Sequence, residues 1–310
     1  ISVDSLYESK NRNEYGLYVG KQWYQLKLKG SADLPDVQIL ENYVVREIFK
    51  IADSRIDSQI SFHPHTAGEN LLKNLIDADI DAFVVIGGDG SFTGAMIFNQ
   101  EFNFPVMGIP GTIDNDIFGT KFTLGFDTAL NTVVEVIDKI RDTASSHNRL
   151  FFVEVMGRDA GFIALNAGVG AGAEEILIPE ENLGLDRMLE SLKKSRRTGK
   201  SSSIVVVAEG DKSGKNVYEL AQDVEESLSE YDVRVYVLGH MQRGGSTSCV
   251  DRVLGSRLGV KSVELLLDGK TNLMVGLNNN EITSTSISEA ITGGHAINQE
   301  ILRVSDIMTT

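Results

Sequence analysis

The sequence predicts an α/β protein with mainly parallel sheets covered by helices on both faces. Three observations carry that expectation. From about Gly68 onward, short apolar runs rich in β-branched residues alternate with stretches of helical spacing. Two of the runs, 83–86 and 104–109, are apolar throughout and end in glycine-rich turns, as strands buried on both faces do. The 42% apolar content of the 310 residues is enough to build a core.

The elements follow in order. Residues 14–19 and 23–28 alternate apolar and polar side chains around Gly20-Lys21-Gln22, which predicts an antiparallel hairpin. The stretch 37–51 has helical spacing, and 61–66 contains a proline and should be a loop. His63 and His65 lie in that loop with no cysteine or third histidine nearby to complete a metal set. Then come a helix at 69–79, a strand at 81–86, a helix at 90–99 and a strand at 104–109. Helices are predicted at 128–145, 159–171, 185–197, 217–228 and 251–267. Strands are predicted at 150–155, 175–179, 203–208 and 233–238.

Composition narrows the function. A net charge of −15 argues against a nucleic-acid partner, which needs a basic face. Cys249 is the only cysteine, so no internal disulfide forms, which suits a reducing cytoplasm. No apolar stretch is long enough to span a bilayer, which argues against a membrane location.

The chemistry concentrates in two turns. The strand at 81–86 runs into Gly87-Gly88-Asp89-Gly90-Ser91, and the strand at 104–109 into Pro110-Gly111-Thr112-Ile113-Asp114-Asn115-Asp116. Both turns should leave the carboxyl edge of one sheet, where open α/β sheets place ligands. Asp89, Asp114 and Asp116 would then converge on one crevice, and the glycines would let a phosphate chain approach the backbone. Each turn also has a plainer reading. The first could be only a tight strand-to-helix turn, and the second an Asx-turn capped by its own side chains. Two carboxylates one residue apart repel unless a cation lies between them, which points to Mg²⁺ and to phosphoryl transfer. Arg149, Arg158, Arg234 and Arg243 sit beside strand ends and suit phosphate, although each alone could be a solvated surface residue. His240 shares a glycine-rich loop with Arg243, and Glu209 follows a strand, where it could cap a helix or accept from a hydroxyl.

Together these motifs resemble ATP-dependent 6-phosphofructokinase of the bacterial type. The matching stretches are IGGDGS at 86–91, GIPGTIDND at 108–116, VEVMGRDAGF at 153–162, VVAEG at 206–210 and LGHMQRGGS at 238–246. The resemblance runs from about Gly68 to the end, whereas residues 1–67 lack the family's first glycine-rich turn and resemble, through GKQWY at 20–24, an uncharacterised bacterial family. It implies two three-layer α/β/α domains. The nucleotide side would be 68–125 with 242–292, and the sugar-phosphate side 126–241 with 293–310. It implies a glycolytic kinase that moves the ATP γ-phosphoryl group to the 1-hydroxyl of fructose 6-phosphate, in an allosteric cytoplasmic homotetramer. Gly88, Asp89, Gly90 and Ser91 would serve the nucleotide, with Asp89 on Mg²⁺. Asp114 would be the general base, Thr112 would contact the reacting end and Asp116 would balance charge. Arg158 would stabilise the transferring phosphoryl group. Met156 and Glu209 would hold the sugar, and His240 and Arg243 its 6-phosphate. Arg149 and Arg234 would reach the 6-phosphate of a neighbouring subunit. Pyrophosphate-dependent relatives carry aspartate and lysine where this chain has Gly90 and Gly111. The missing turn leaves an alternative, a catalytically impaired phosphosugar- or effector-binding protein on the same scaffold. It also predicts an opening at the centre of the nucleotide-side sheet.

Overall fold

The structure, a computed structural model, describes residues 2–3, 14–19, 22–27, 72–73, 75–144, 149–181, 185–197, 203–210 and 215–308. The chain divides into two compact units, 1–67 and 68–310. In the first unit, β1 (Ser2–Val3), β2 (Glu14–Val19) and β3 (Gln22–Lys27) form an antiparallel sheet in the order β1-β3-β2. Glu14 pairs with Lys27 and Val19 with Gln22, so the expected hairpin is present. The helix expected at 37–51 and the loop holding His63 and His65 lie outside the described residues.

In the second unit, β4 (Phe83–Gly87) is followed by α1 (Asp89–Phe102) and β5 (Val106–Pro110). These strands share a sheet with β10 (Leu273–Asn278) and β11 (Glu281–Ser286) in the order β11-β10-β5-β4. Only the β10–β11 hairpin is antiparallel; β4, β5 and β10 are parallel. Alternation along β5 feeds two cores. Val106 packs with Phe92 and Ala95 of α1, while Met107 and Ile109 pack with Leu254 and Leu258 of α6 (Cys249–Leu267). Among the described residues β5 and β10 occupy the middle of this sheet and β4 is an edge. Val84 and Ile86, on one face of β4, are exposed.

A second sheet is parallel throughout, in the order β7-β8-β6-β9. Its strands are β6 (Arg149–Val155), β7 (Glu175–Leu177), β8 (Ser203–Ala208) and β9 (Asp232–Val237). Phe151, Val153 and Val155 of β6 face a core shared with α2 (Phe126–Ala144) and α3 (Phe162–Ala171). Leu150 and Phe152 face the opposite core, under α4 (Leu185–Arg197) and α5 (Val217–Ser227). Sequence placed α3 three residues too early, because Arg158 turns left-handed at φ 57° and delays the helix. The chain after 267 adds elements that periodicity did not reveal: β10, β11, α7 (Ile287–Thr292) and α8 (Gln299–Met308).

The chain crosses between the two sheets along 111–125, 238–248 and 293–298. Asp251, at the start of α6, fastens the first two crossings. Its buried carboxylate accepts from the Gly125 N–H at 3.0 Å, the Thr128 N–H at 2.9 Å and the Thr128 hydroxyl at 2.5 Å. Thr128 Oγ1 in turn accepts from the Ser248 N–H. The carboxylate thus satisfies orphan donors at the start of α2, where negative charge is also favoured by the helix dipole. Asp251→Ala should destabilise the chain by about 3 kcal/mol, since it strands several buried donors at once; a lowered urea midpoint measures this, and an unchanged midpoint contradicts it.

Candidate active site

Parallel register brings the two acidic turns together. Gly87 pairs with Pro110 at the last rung of β4 and β5, so both turns leave the same edge of the sheet. Gly88 caps α1 in an extended conformation, and Asp89, Gly90 and Ser91 form its first turn. Their N–H groups point out of the helix end, and Asp89 and Ser91 are exposed there.

The second sheet contributes the partner of Asp89. Arg158 Nη1 donates to Asp89 Oδ1 at 3.1 Å and to Oδ2 at 3.2 Å, bridging the two sheets. Glu209 holds the turn that presents this arginine. Its Oε1 accepts from the Arg158 N–H at 2.7 Å and from the Gly157 N–H at 3.3 Å. A side chain at Gly210 would run into the carbonyl of Arg158, so glycine is required for this close approach. Glu209 therefore acts on the backbone beneath Arg158 in this structure.

Asp114 is buried, at 8% exposure. The Thr112 hydroxyl donates to its Oδ2 at 3.4 Å and accepts from its N–H at 3.2 Å. Its other oxygen, Oδ1, is buried with no hydrogen-bond partner. Burial raises the Asp114 pKa; Arg243, the Thr112 hydroxyl and Arg158 oppose this, and Glu209 adds to it. The Asp116 pKa is also raised, first by burial and then by Asp114 and Asp89. Asp89, although burial works against it, is lowered by the Gly90 N–H and by Arg158. The three carboxylates thus share one field, with Arg158 and Arg243 beside them. Among the described residues no group of three or more histidine, cysteine or acidic side chains is arranged to hold a metal. Mg²⁺ commonly takes only one or two carboxylates and completes its shell with phosphate oxygens and water, so acidic side chains in this field fit it.

Residues 239–243 form a 3₁₀ turn carrying His240 and Arg243, both exposed. Gln242, almost fully buried, ties this turn to β6: its Oε1 accepts from the Met156 N–H at 3.1 Å and its Nε2 donates to the Gly239 carbonyl at 3.0 Å. Met156 is buried beside it. Arg149 and Arg234 do not join this group. Arg149 opens β6, and six residues of strand, about 20 Å, separate it from Val155 at the site edge. Both arginines flank Asp232, Arg149 Nε at 3.5 Å from Oδ2 and Arg234 Nη2 at 2.9 Å from Oδ1.

Sequence reasoning missed the residues that shape the site. Asn115 adopts φ 54°, and its Oδ1 accepts from the Thr123 N–H at 2.8 Å while its Nδ2 donates to the Lys121 carbonyl. Thr123 Oγ1 donates to the Thr112 carbonyl at 2.5 Å. The side chain that braces this turn is thus the asparagine, through bonds to residues six and eight positions on rather than a local Asx-turn. Asparagine between two aspartates, with its tolerance of the left-handed region, was the available signal.

Comparison with known proteins agrees with this architecture. The family model described as Phosphofructokinase matches residues 24–266. A Bacteroides thetaiotaomicron protein named ATP-dependent 6-phosphofructokinase 2 is 49% identical over 231 residues, covering 74% of this chain and 71% of that protein. A Bacillus pumilus ATP-dependent 6-phosphofructokinase is 45% identical over 295 residues, 95% of this chain and 89% of that protein. The likeness therefore reaches into residues 1–67, the segment that sequence analysis set apart. A Saccharomyces cerevisiae phosphofructokinase structure superposes with a TM-score of 0.68 at 32% identity, over 76% of this chain and 35% of that one. With the match running through both acidic turns and both sheets, this chain belongs to the phosphofructokinase family.

Proposed function

We propose that this chain transfers the γ-phosphoryl group of ATP to the 1-hydroxyl of fructose 6-phosphate, with Asp114 as general base. The observation that carries the reading is the Asp114 carboxylate. It is buried, has one oxygen without a partner, and lies in the field of two arginines opposite the start of α1. A substrate hydroxyl placed at Oδ1 would satisfy that oxygen and give up its proton there as its own oxygen attacks phosphorus. Burial moves the pKa in the direction a general base needs.

The remaining residues position and neutralise. The N–H groups of Gly90 and Ser91 receive phosphate oxygens at the helix start. Mg²⁺, when bound, shares the phosphate charge, and Asp89 with Asp116 would hold it. Arg158 is spent on Asp89 before substrates arrive; phosphate oxygens compete for its guanidinium and draw it to the transferring group. Glu209 keeps the Arg158 backbone in place while the side chain moves. Thr112 holds Asp114 against the reacting hydroxyl, and Met156 with Glu209 borders the sugar. His240 and Arg243 take the 6-phosphate. Arg149, about 20 Å along β6 from the site edge, and Arg234, which shares Asp232 with it, would serve a neighbouring subunit in a homotetramer with shared sites. We assign the nucleotide side to 68–125 with 242–292 and the sugar-phosphate side to 126–241 with 293–310. The lone cysteine and a glycolytic substrate suit the cytoplasm, and an allosteric tetramer suits glycolytic control.

Asp114→Asn should lower kcat by about 10²- to 10⁴-fold, with little change in the KM for ATP; near-normal turnover would sink the assignment. In the parent chain the acid limb of the pH–rate profile should lie above that of an exposed aspartate, because kcat falls as the raised Asp114 pKa is crossed downward; in the variant this limb should vanish. Arg234→Ser should raise the KM for fructose 6-phosphate and leave that for ATP alone. An equal rise for both substrates would contradict the shared-site arrangement.

A further inference from the structure

The third crossing, 293–298, carries a histidine that the scheme above does not use. His295 lies between α7, which packs on α1 of the first sheet, and α8, which packs on α3 of the second. Its ring contacts Phe162 with centroids 4.8 Å apart and planes at 45°. The backbone carbonyls of Asn115 and Ile117 face the same ring. These residues flank Asp116 and follow Asp114. His295 Nδ1 is nevertheless buried with no hydrogen-bond partner. A buried polar atom left unpaired is costly and calls for a partner. A cavity of about 390 Å³ adjoins the ring, lined in part by Phe122, Phe126 and Asn166.

We infer that His295 is a positioning residue for the acidic turn: braced by Phe162, its ring N–H bonds a carbonyl of residues 115–117 and so fixes the direction of Asp114 and Asp116. A neutral imidazole has one donor nitrogen and one acceptor, and only the donor can face a carbonyl. Burial pushes the His295 pKa below the ordinary imidazole range, which keeps the ring neutral. The ring thereby links the third crossing to the first, so that the distance between the two sheets and the aim of the base are set together. The inference rests on the proposed reaction for its kinetic consequence, but not for its structural one.

Two variants test it in the full chain. His295→Phe keeps a ring against Phe162 and removes the donor; His295→Asn restores a donor near the Nδ1 position. The phenylalanine variant should lose kcat on the order of tenfold with KM values changed less than about twofold. Amide hydrogen exchange should rise in 112–125 and stay unchanged in 203–208, and the asparagine variant should recover both readouts. Parental kcat and exchange in the phenylalanine variant, or exchange raised equally in both segments, would overturn the positioning role. If the phenylalanine variant does not fold, the asparagine variant decides: parental exchange in 112–125 supports the role and raised exchange refutes it. A parent chain without turnover would refute the proposed reaction, while the exchange comparison would still judge His295.

Discussion

The acidic turn depends on how the residue between its two aspartates is held. Asn115 adopts φ 54°, its Oδ1 accepts from the Thr123 N–H and its Nδ2 donates to the Lys121 carbonyl. Thr123 closes the loop onto the Thr112 carbonyl. The turn is therefore braced by amide and hydroxyl groups, and Asp114 Oδ1 is left without a partner. The proposed role of Asp114 depends on that division.

The division has an electrostatic consequence. Asp114 and Asp116 are partly removed from water and their pKa values are raised by burial, while that of Asp89 is lowered by the Gly90 N–H and by Arg158. Three similar side chains thus acquire different proton affinities from their surroundings. The Arg158–Asp89 pair is largely solvent-exposed, so it adds little stability, and phosphate can compete for it at small cost. A buried pair in the same place would resist opening. Weakness here is compatible with the partner exchange proposed for Arg158.

Most of the fold from 83 to 267 was legible in sequence, because parallel strands buried on both faces read as uninterrupted apolar runs. β5 and β8 are buried at every residue. The hairpin β10–β11 was not legible because β11 is a polar edge strand, Glu-Ile-Thr-Ser-Thr-Ser, without a buried alternation. Its turn signal was present: Asn279 and Asn280 both adopt positive φ. At the site, the charged residues could be found by type and position. The shaping residues could not, since Gln242 reaches Met156 across 86 positions and Asp251 reaches Gly125 across 126. Local periodicity carries no trace of such bonds.

The same geometry bears on how the site selects its phosphoryl donor. An added Cβ at Gly90 would meet nothing within 4 Å, so the space beside the helix start does not demand glycine. An aspartate, as pyrophosphate-dependent relatives carry, would fit sterically and place another negative charge in a field that already holds Asp89 and Asp116. Gly111 differs: a Cβ there would come within 2.9 Å of Ile86 Cγ2, on the edge strand. That methyl sits on a β-branched carbon, and the Gly87 backbone N lies 3.4 Å away on the same side, so a side chain at Gly111 requires the edge strand to shift. Gly90, by contrast, is not closed to a larger residue by packing. Under the reaction proposed above, charge rather than room at Gly90 would then be what disfavours an aspartate beside the triphosphate chain of ATP.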